Sequence, residues 1–411
     1  MKKLLTIENF LCLLTLSAPF YLVKVSFFGI PTNAFELFGV FLLALFLALQ
    51  RKTFFEETKN LPRVLLVSIF AILLGVIAST LANDNWKSGF GILKGWFILP
   101  ILFSFAIYAV IKSEESIEKL FASICYSIAI VSLIALVYKM QKITTYDGRL
   151  SAFYLSPNHL AMYLSCGIFF PFYFFVKGIL QKNILKTTLS TTILLLVILS
   201  LFFTFSYGAW IAVSLALAFT VIIFSKRKFL FSLFLVLIVA FAFLLQFDSE
   251  KFEALRNFSE RSSFASRMMI WKTSLLMLKQ SPILGIGPGN FQNTYLSLQK
   301  FFPPYLEWAV PQPHNIFLAF WLQSGIIGFA GFFLIVFHAI KNLLKIKGMD
   351  FSLHIPLVGF FFYTLLHGLV DTPFWKNDLA FLFWLNLFLA AAIWKIATKK
   401  PVSLETDRVQ L

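Results

Sequence analysis

Residues 314–339 read HNIFLAFWLQSGIIGFAGFFLIVFHA, and from Asn315 onward they form an apolar run long enough to cross a membrane. A run of about 18 or more apolar residues marks a transmembrane helix, because lipid offers the backbone no hydrogen-bond partners and a helix satisfies its own. Eleven further runs of this kind predict an all-α integral membrane protein with about twelve transmembrane helices. The predicted spans are residues 6–23, 34–50, 64–82, 89–111, 118–138, 158–176, 187–205, 208–224, 229–246, 315–339, 352–370 and 378–395.

The composition indicates the same class of protein. The chain has 411 residues, of which 59% are hydrophobic and only 13% are charged. Apolar residues make up nearer half of a soluble domain, so an ordinary soluble fold is excluded. The net charge of +16 requires no nucleic-acid partner, because lysine and arginine collect in the cytoplasmic loops of membrane proteins. With the N-terminus inside, most of the 35 lysines and arginines fall on the cytoplasmic side, and both termini are predicted to be cytoplasmic.

The first 20 residues, MKKLLTIENFLCLLTLSAPF, resemble a signal sequence, with two lysines ahead of an apolar run. A convincing small-x-small cleavage site is lacking. We therefore interpret this segment as a retained first helix.

One long loop, residues 247–313, interrupts the predicted bundle. A long structured insertion in a compact bundle is usually functional. Within it, SFASRMMIWKTSLLMLKQ (263–280) places Met268, Trp271, Leu275 and Leu278 on one stripe at helical spacing. This stripe predicts an amphipathic helix on the outer membrane surface or across the mouth of the bundle. The predicted organisation is a single membrane domain, with helices one to nine in residues 1–246, an extracytoplasmic loop in 247–313, helices ten to twelve in 314–397 and a cytoplasmic tail in 398–411.

Three histidines, His159, His314 and His367, map to the predicted outer ends of helices. Ionisable residues at membrane depth are costly and tend to be functional, and an imidazole exchanges a proton near neutral pH. The alternative for each is a satisfied histidine at a helix end. A metal site from these three and Asp371 would lack HxxxH or HExxH spacing, so we expect neither a metal nor a cofactor.

Arg149 and Arg267 are the candidate anion-binding residues. A guanidinium is always charged, and its planar fork fits a phosphate or diphosphate. The alternatives are an interfacial anchor for Arg149 and a solvated helix face for Arg267. Lys94, near the outer end of the fourth helix, either reaches the interface or adds charge to an anionic site. Asn158, at the start of the sixth helix, is a secondary candidate for the site, and its alternative is a helix N-cap.

The stretch HGLVDTPFWKND (367–378) places Asp371 four residues after His367, on the same helix face. A carboxylate there could orient a histidine or pair with Arg149 or Arg267. Alternatively, it only ends the helix.

Five segments, in this order, resemble the O-antigen ligase and polymerase superfamily of bacterial membrane proteins. They are GRLSAFYLSPNHLAMYL (148–164), FTFSYGAW (203–210), SRMMIWKTSLLMLKQSPILGIGPGNF (266–291), PHNIFLAFWLQSGIIGF (313–329) and HGLVDTPFW (367–375). The resemblance implies a GT-C-like fold and a metal-independent glycosyltransferase at the outer face of the cytoplasmic membrane. Such enzymes take a glycan from undecaprenyl diphosphate. A ligase moves it to a hydroxyl of lipid A–core, and a polymerase moves it to another lipid-linked glycan.

The resemblance also implies roles for single residues. His314 matches the family's essential histidine, which would take the proton of the acceptor hydroxyl. Arg149 and Arg267 match arginines that would hold the diphosphate. Asp371 matches an acidic residue that would orient His314 or an arginine. Direct displacement of the diphosphate would invert the anomeric centre.

Two positions depart from the family pattern. Tyr207 stands where many members have arginine, which leaves one expected phosphate contact fewer. Ala152 stands where glycine is common. Asn315, next to the essential histidine, either caps the tenth helix or holds His314 in place.

The residues leave alternatives open. Ligase and polymerase resemble this sequence equally. A polysaccharide or small-solute transporter would suit twelve helices, but many transporters have two related halves and ionisable residues near the midplane. Here no half-repeat is visible, and the polar residues gather at one face. A scaffold without chemistry would leave the outer histidines and arginines unexplained. If the protein is an enzyme, we expect four side chains to converge: Arg149, Arg267, His314 and Asp371.

Overall fold

The computed structural model describes residues 7–27, 30–224, 262–303, 310–346 and 353–399, together with 240–241, 243–247, 249 and 252–253. This part of the chain is helical apart from one β-hairpin. Strand β1 (Lys24–Phe27) pairs antiparallel with β2 (Ile30–Asn33).

The helices before the long loop form most of the bundle. They are α1 (Ile7–Leu16), a 3-10 turn (Ala18–Leu22), α2 (Ala34–Lys59), α3 (Arg63–Leu81), α4 (Trp86–Ile92), a π-helical turn (Leu93–Ile98), α5 (Leu99–Val110), α6 (Glu114–Met140), α7 (Pro157–Gly167), α8 (Phe169–Leu180), α9 (Ile184–Phe203) and α10 (Tyr207–Phe224). The later helices are α11 (Ser263–Gln280), α12 (Phe291–Leu298), a 3-10 turn (Gln299–Phe301), α13 (Ile316–Lys345), α14 (Ile355–Gly368) and α15 (Asn377–Lys399).

Within the described residues, nine helical stretches are long and apolar enough to cross a membrane, and α1 and α14 are shorter apolar helices. The all-α membrane class is therefore confirmed. Eleven of the twelve predicted spans coincide with these helices. The predicted ninth span, residues 229–246, lies largely outside the described residues, so the number twelve stays a prediction.

Polar residues immediately before apolar runs set several helix starts. Asn33, Ser113, Ser156 and Asn183 each accept a hydrogen bond from a backbone N–H of the first turn. Such caps satisfy amide groups that have no partner within the helix, so each helix begins at its cap.

Helix α13 packs closely on α3 because both carry glycine at the contact. A Cβ on Gly75 would lie 2.3 Å from the Ser324 carbonyl oxygen and 2.6 Å from the Gly328 nitrogen. Small residues allow this backbone approach between membrane helices, where side-chain packing drives association.

Helix α13 is broken at Gly325, which has φ of +63°. The predicted span 315–339 falls on this helix, and the sequence did not predict the break inside it. Residues 281–290 of the long loop fill the break: the Ile286 N–H donates to Leu322 O at 2.7 Å, and the Ile326 N–H donates to Ile283 O at 2.9 Å. The loop thus provides backbone partners for groups that the break leaves unpaired, as a buried non-helical backbone requires.

Two glycines make this insertion possible. Gly285 has φ of +69°, and a Cβ there would lie 2.2 Å from Leu322 O. A Cβ on Gly325 would lie 2.4 Å from Ile283 O. Trp321 adds a side-chain bond, since its Nε1–H donates to Pro282 O at 2.7 Å. We call residues 281–290 the insert segment.

The helix predicted in the long loop is present as α11, but its apolar stripe is not the face that packs on the protein. Of the four predicted stripe residues, Leu278 is buried, Trp271 is half-buried, and Met268 and Leu275 are exposed. The packed face instead holds Ser266, Met269, Ile270, Thr273, Ser274, Met277 and Leu278.

Candidate functional site

Parts of the chain far apart in sequence meet at one end of the bundle, which we call the His314 end. They are the start of α13, the connection between α14 and α15 (369–376), helix α11, and the connection between α6 and α7 (141–156). Direct side-chain contacts join the first three. Arg149, on the connection between α6 and α7, interacts electrostatically with Arg267 and Asp371.

His314 and Asp371 form the centre of the site. His314 Nδ1 lies 3.0 Å from Asp371 Oδ1. Burial alone would raise the pKa of the Asp371 carboxyl, but His314 and Arg267 lower it well below its ordinary value of 3.8. An ionised carboxylate only accepts hydrogen bonds, so Nδ1 carries the proton and the Nε2 lone pair is the basic site of the ring.

The backbone at His314 is held in an unusual conformation. Its φ is +47°, in the left-handed region that non-glycine residues seldom adopt. Trp271 of α11 donates from Nε1 to the His314 carbonyl oxygen at 3.3 Å, and Asn315 caps α13 by accepting from Phe317 N and Leu318 N at 3.0 Å each. Asn315 also donates from Nδ2 to Leu369 O at 3.0 Å. Its predicted capping role is therefore confirmed, and the same side chain links α13 to the connection that carries Asp371.

Arg267 joins α11 to that connection. Its Nε donates to Val370 O at 2.6 Å, Nη1 donates to Ser263 O at 3.1 Å, and Nη2 lies 3.6 Å from Asp371 Oδ2. Asp371 is almost fully buried, and its amide donates to His367 O at 2.8 Å. The carboxylate is therefore shared between a histidine and an arginine.

Arg149 is fixed by neutral groups on neighbouring segments. Its Nε donates to Thr204 O at 2.8 Å and Nη2 donates to Asn158 Oδ1 at 2.6 Å, while Nη1 lies 3.8 Å from Asp147 Oδ2. Burial lowers the pKa of the guanidinium, Arg267 lowers it further, and Asp147 and Asp371 raise it. Arg149 thus lies within electrostatic range of Arg267 and Asp371.

Asn158 is not the N-cap of α7, which was the structural alternative for this candidate site residue. Ser156 is the N-cap of α7, because its hydroxyl accepts from His159 N at 3.2 Å. Asn158 lies in the first turn, where its amide oxygen holds Arg149 instead. The sequence shows two adjacent polar candidates, and only the backbone conformation at Ser156 distinguishes them.

His367 and Tyr207, the two other candidates near the site, bond to other side chains. The His367 Nδ1 lies 2.7 Å from the Tyr363 hydroxyl, and both residues are buried. The Tyr207 hydroxyl lies 3.4 Å from Ser249 Oγ, and its ring packs on Trp210. Asp371 therefore pairs with His314 rather than with the histidine four residues before it.

Lys94 has a counter-charge of its own. Its Nζ donates to Glu36 Oε2 at 2.7 Å and to Pro31 O at 2.9 Å. Glu36 is buried and also accepts from Thr32 Oγ1 at 2.7 Å. Because this carboxylate neutralises the ammonium, Lys94 is a weak candidate for adding net charge to an anionic site.

His159 belongs to a second histidine–aspartate pair that the sequence did not predict. Its Nε2 lies 3.2 Å from Asp378 Oδ1 and 3.2 Å from the Tyr21 hydroxyl. His159 and Asp378 are both buried. The pair ties α7, which holds Arg149 through Asn158, to the start of α15. The only sequence signal was an aspartate seven residues after Asp371, which alone indicates nothing.

The three histidines do not share one cluster. His314 faces Asp371 and His159 faces Asp378. Among the described residues, no group of three or more histidine, cysteine, aspartate and glutamate side chains could hold a metal ion.

A cavity of about 270 Å³ lies elsewhere, between α6, α8 and α9. Asn183 and Lys186, at the start of α9, contribute to its lining, whereas the far end of α9 leads to Thr204 beside Arg149. This apolar cavity is therefore at the opposite end of the bundle and is separate from the candidate site.

One comparison with known families gives a match. Residues 192–333 match the family described as O-Antigen ligase. No curated protein matches the chain. The matched region contains Arg267 and His314, whereas Arg149 and Asp371 lie outside it. The resemblance inferred from the sequence is thus confirmed at the level of the superfamily.

Proposed function

We propose that this protein, whose residues 192–333 match the O-antigen ligase family, is a lipid-diphosphate-dependent glycan transferase. It moves a glycan from undecaprenyl diphosphate to an acceptor hydroxyl of the lipid A–core type, with inversion and without a metal. The reaction takes place at the extracytoplasmic face of the bacterial cytoplasmic membrane, and both termini are cytoplasmic.

The observation that carries this proposal is the contact series His314–Asp371–Arg267, with Arg149 within electrostatic reach. It combines a base, the carboxylate that orients it, and two permanent cations at one end of a membrane bundle. A general base and an anion clamp are what transfer from a diphosphate donor to a hydroxyl requires.

The residues then act as follows. Asp371 accepts from Nδ1 of His314 and fixes the tautomer that presents Nε2. Nε2 takes the proton of the acceptor hydroxyl as its oxygen attacks the anomeric carbon of the donor sugar. The bond from that carbon to the diphosphate oxygen breaks, and Arg149 and Arg267 stabilise the charge on the departing diphosphate. Attack from the face opposite the leaving group inverts the anomeric centre, and no ATP is needed.

The same arrangement suits a polysaccharide polymerase, whose acceptor is another lipid-linked glycan. The two reactions differ in the acceptor and share the base and the anion clamp. A transporter is less favoured, because its substrate needs neither a polarised histidine nor a leaving-group clamp at one end of the bundle.

The test is transfer by the purified protein, supplied with a lipid-diphosphate glycan and either lipid A–core or a second lipid-linked glycan. We expect His314→Ala to lower kcat by about 10²- to 10⁴-fold, the usual contribution of a general base. His338→Ala is the matched control. It removes a histidine from the same helix, where Nε2 lies 2.9 Å from Asn342 Nδ2 and not beside Asp371. Transfer at the wild-type rate by His314→Ala would refute the proposed chemistry.

A further inference from the structure

Helix α11 has two distinct faces. The face packed on the protein is partly made of hydroxyl residues whose side chains bond within their own helix: Thr273 Oγ1 donates to Met269 O at 2.9 Å, and Ser274 Oγ donates to Ile270 O at 2.8 Å. The opposite face carries the apolar stripe Phe264, Met268, Trp271 and Leu275, at i, i+4, i+7 and i+11. We call these four residues the α11 stripe.

The α11 stripe is exposed where a helix normally buries its apolar residues. The exposed fractions are 52% for Phe264, 37% for Met268 and 58% for Leu275, and Trp271 is half-buried. A contiguous apolar surface of this kind marks a binding site or a membrane contact, since its exposure to water is unfavourable.

The stripe starts at the candidate site. Arg267, which contacts Val370 O and Asp371, immediately precedes Met268 in the same turn of α11. Trp271, within the stripe, donates to the carbonyl of His314. Leu369, 51% exposed, adds apolar surface on the neighbouring connection. An apolar track therefore begins beside a guanidinium that faces the reaction centre.

We propose that the α11 stripe binds the isoprenoid chain of the donor lipid. This inference rests on the proposed function and adds where the lipid part of the donor lies. The donor combines a diphosphate with a long apolar chain, and the structure places Arg267 next to a largely exposed apolar stripe. An ordinary bilayer lipid would match the stripe but would leave its adjacency to Arg267 unused.

The length of the stripe limits what it can recognise. From Phe264 to Leu275 the helix rises about 17 Å at 1.5 Å per residue. The stripe therefore contacts only the part of the chain next to the diphosphate. Donor affinity should rise with isoprenoid length until the chain spans the stripe, and then become constant.

The first test compares donors that carry the same glycan and diphosphate but different isoprenoid lengths. We expect kcat/KM of the wild-type protein to favour long chains over the shortest. In Met268→Gln and Leu275→Gln, which keep side-chain length and helix propensity, this preference should fall about three- to tenfold, while turnover of the shortest donor stays at the wild-type level. Ile283→Gln is the control. It removes a more exposed apolar side chain (66%) on the insert segment, outside the stripe, and should keep the full preference.

Two outcomes would overturn the inference. An unchanged length preference in both stripe variants shows that the chain lies elsewhere. An equal loss with long and short donors shows that the stripe serves packing or bilayer contact instead.

The second test measures binding without turnover. A photoreactive isoprenoid diphosphate should label the α11 peptide, and an unlabelled isoprenoid diphosphate should compete, whereas phosphatidylglycerol should not. If the α11 peptide is labelled but no glycan is transferred, the proposed function is contradicted, whereas binding of the isoprenoid chain to the α11 stripe is supported. Equal competition by phosphatidylglycerol would overturn the proposal that the α11 stripe binds the isoprenoid chain of the donor.

Discussion

At the scale of single residues, one buried carboxylate organises the site. Asp371 accepts from His314 and lies 3.6 Å from Arg267, and its own amide bonds to the end of α14. Its charge is stabilised only because these partners surround it. A neutral replacement would leave Arg267 without its counter-charge and His314 without a tautomer-fixing acceptor.

We therefore expect Asp371→Asn to lower both kcat and stability. Removing one partner of a buried charge pair costs on the order of 3 kcal/mol of the free energy of unfolding. The pKa of Asp371 is lowered in the folded protein, so its contribution is fully present above the ordinary value of 3.8. The stability difference between wild type and variant should thus persist from pH 7 to near pH 4. It should shrink only as the pH falls further, through the lowered pKa.

Thermal unfolding in detergent across this pH range measures the effect. Asp147→Asn is the control, because Asp147 is partly exposed and lies 3.8 Å from Arg149, where an ion pair contributes about 1 kcal/mol or less. A difference between wild type and Asp371→Asn that already vanishes near pH 6 would contradict this account.

Two residue-level features of the site have backbone causes. Ala152, where the family commonly has glycine, adopts φ of +50°, a conformation that glycine adopts without strain. His314 has φ of +47°, held by the Trp271 bond to its carbonyl and by the Asn315 cap. Strain of this kind persists where surrounding contacts impose it, and it gathers at functional sites.

At the scale of elements, the break in α13 decides how His314 is carried. The half-helix from Ile316 to Ser324 bears His314 at its start, and the insert segment fixes its other end through Leu322 and Gly325. The motif that contains Gly285, Gly287 and Gly289 therefore has a structural role: it seats the long loop in the break and orients the half-helix.

We expect Gly325→Ala to destabilise the protein and reduce transfer. Gly325 has φ of +63° and ψ of −175°, a region essentially restricted to glycine, so alanine there costs on the order of 1–3 kcal/mol. The added Cβ would also meet Ile283 O at 2.4 Å. Gly91→Ala is the matched control, because Gly91 lies in helix α4 with no atom within 4 Å of the added Cβ. This control should be neutral or slightly stabilising, since alanine favours a helix over glycine.

Thermal unfolding and kcat of Gly325→Ala and Gly91→Ala test this expectation. Equal stability of Gly325→Ala and wild type would show that the insert segment can be displaced without cost. The half-helix would then need another support.

At the scale of the whole molecule, the charge pattern predicts how the bundle is oriented in the membrane. Tyr146, in the connection at the His314 end, is fully exposed, and Gln181, in the connection between α8 and α9, is exposed at the opposite end. If the termini are cytoplasmic, an impermeant thiol reagent added to intact cells should label Tyr146→Cys and not Gln181→Cys. The natural cysteines provide the background, and two of them, Cys125 and Cys166, are buried. The reverse labelling would contradict the proposed location of the reaction.

The sequence predicted the class of fold well. Apolar length and helix caps are local properties, because lipid obliges each segment to satisfy its own backbone, so eleven predicted spans reappear as helices. The break at Gly325 escaped prediction. The run around it is apolar enough overall for a single span, despite Gln323 and Ser324, and its backbone partners lie some 40 positions earlier in the chain.

The sequence by itself determined that this protein is a helical membrane protein with segments that resemble the O-antigen ligase superfamily, and with its histidine and arginine candidates at known positions along the chain. Only the tertiary structure decided which of them meet. Asp371 faces His314 and Arg267 rather than His367, Asn158 holds Arg149 rather than capping α7, and His159 pairs with Asp378. The physical reason is range: helix formation depends on neighbours within a few residues, whereas a charge pair depends on where separate helices end in space.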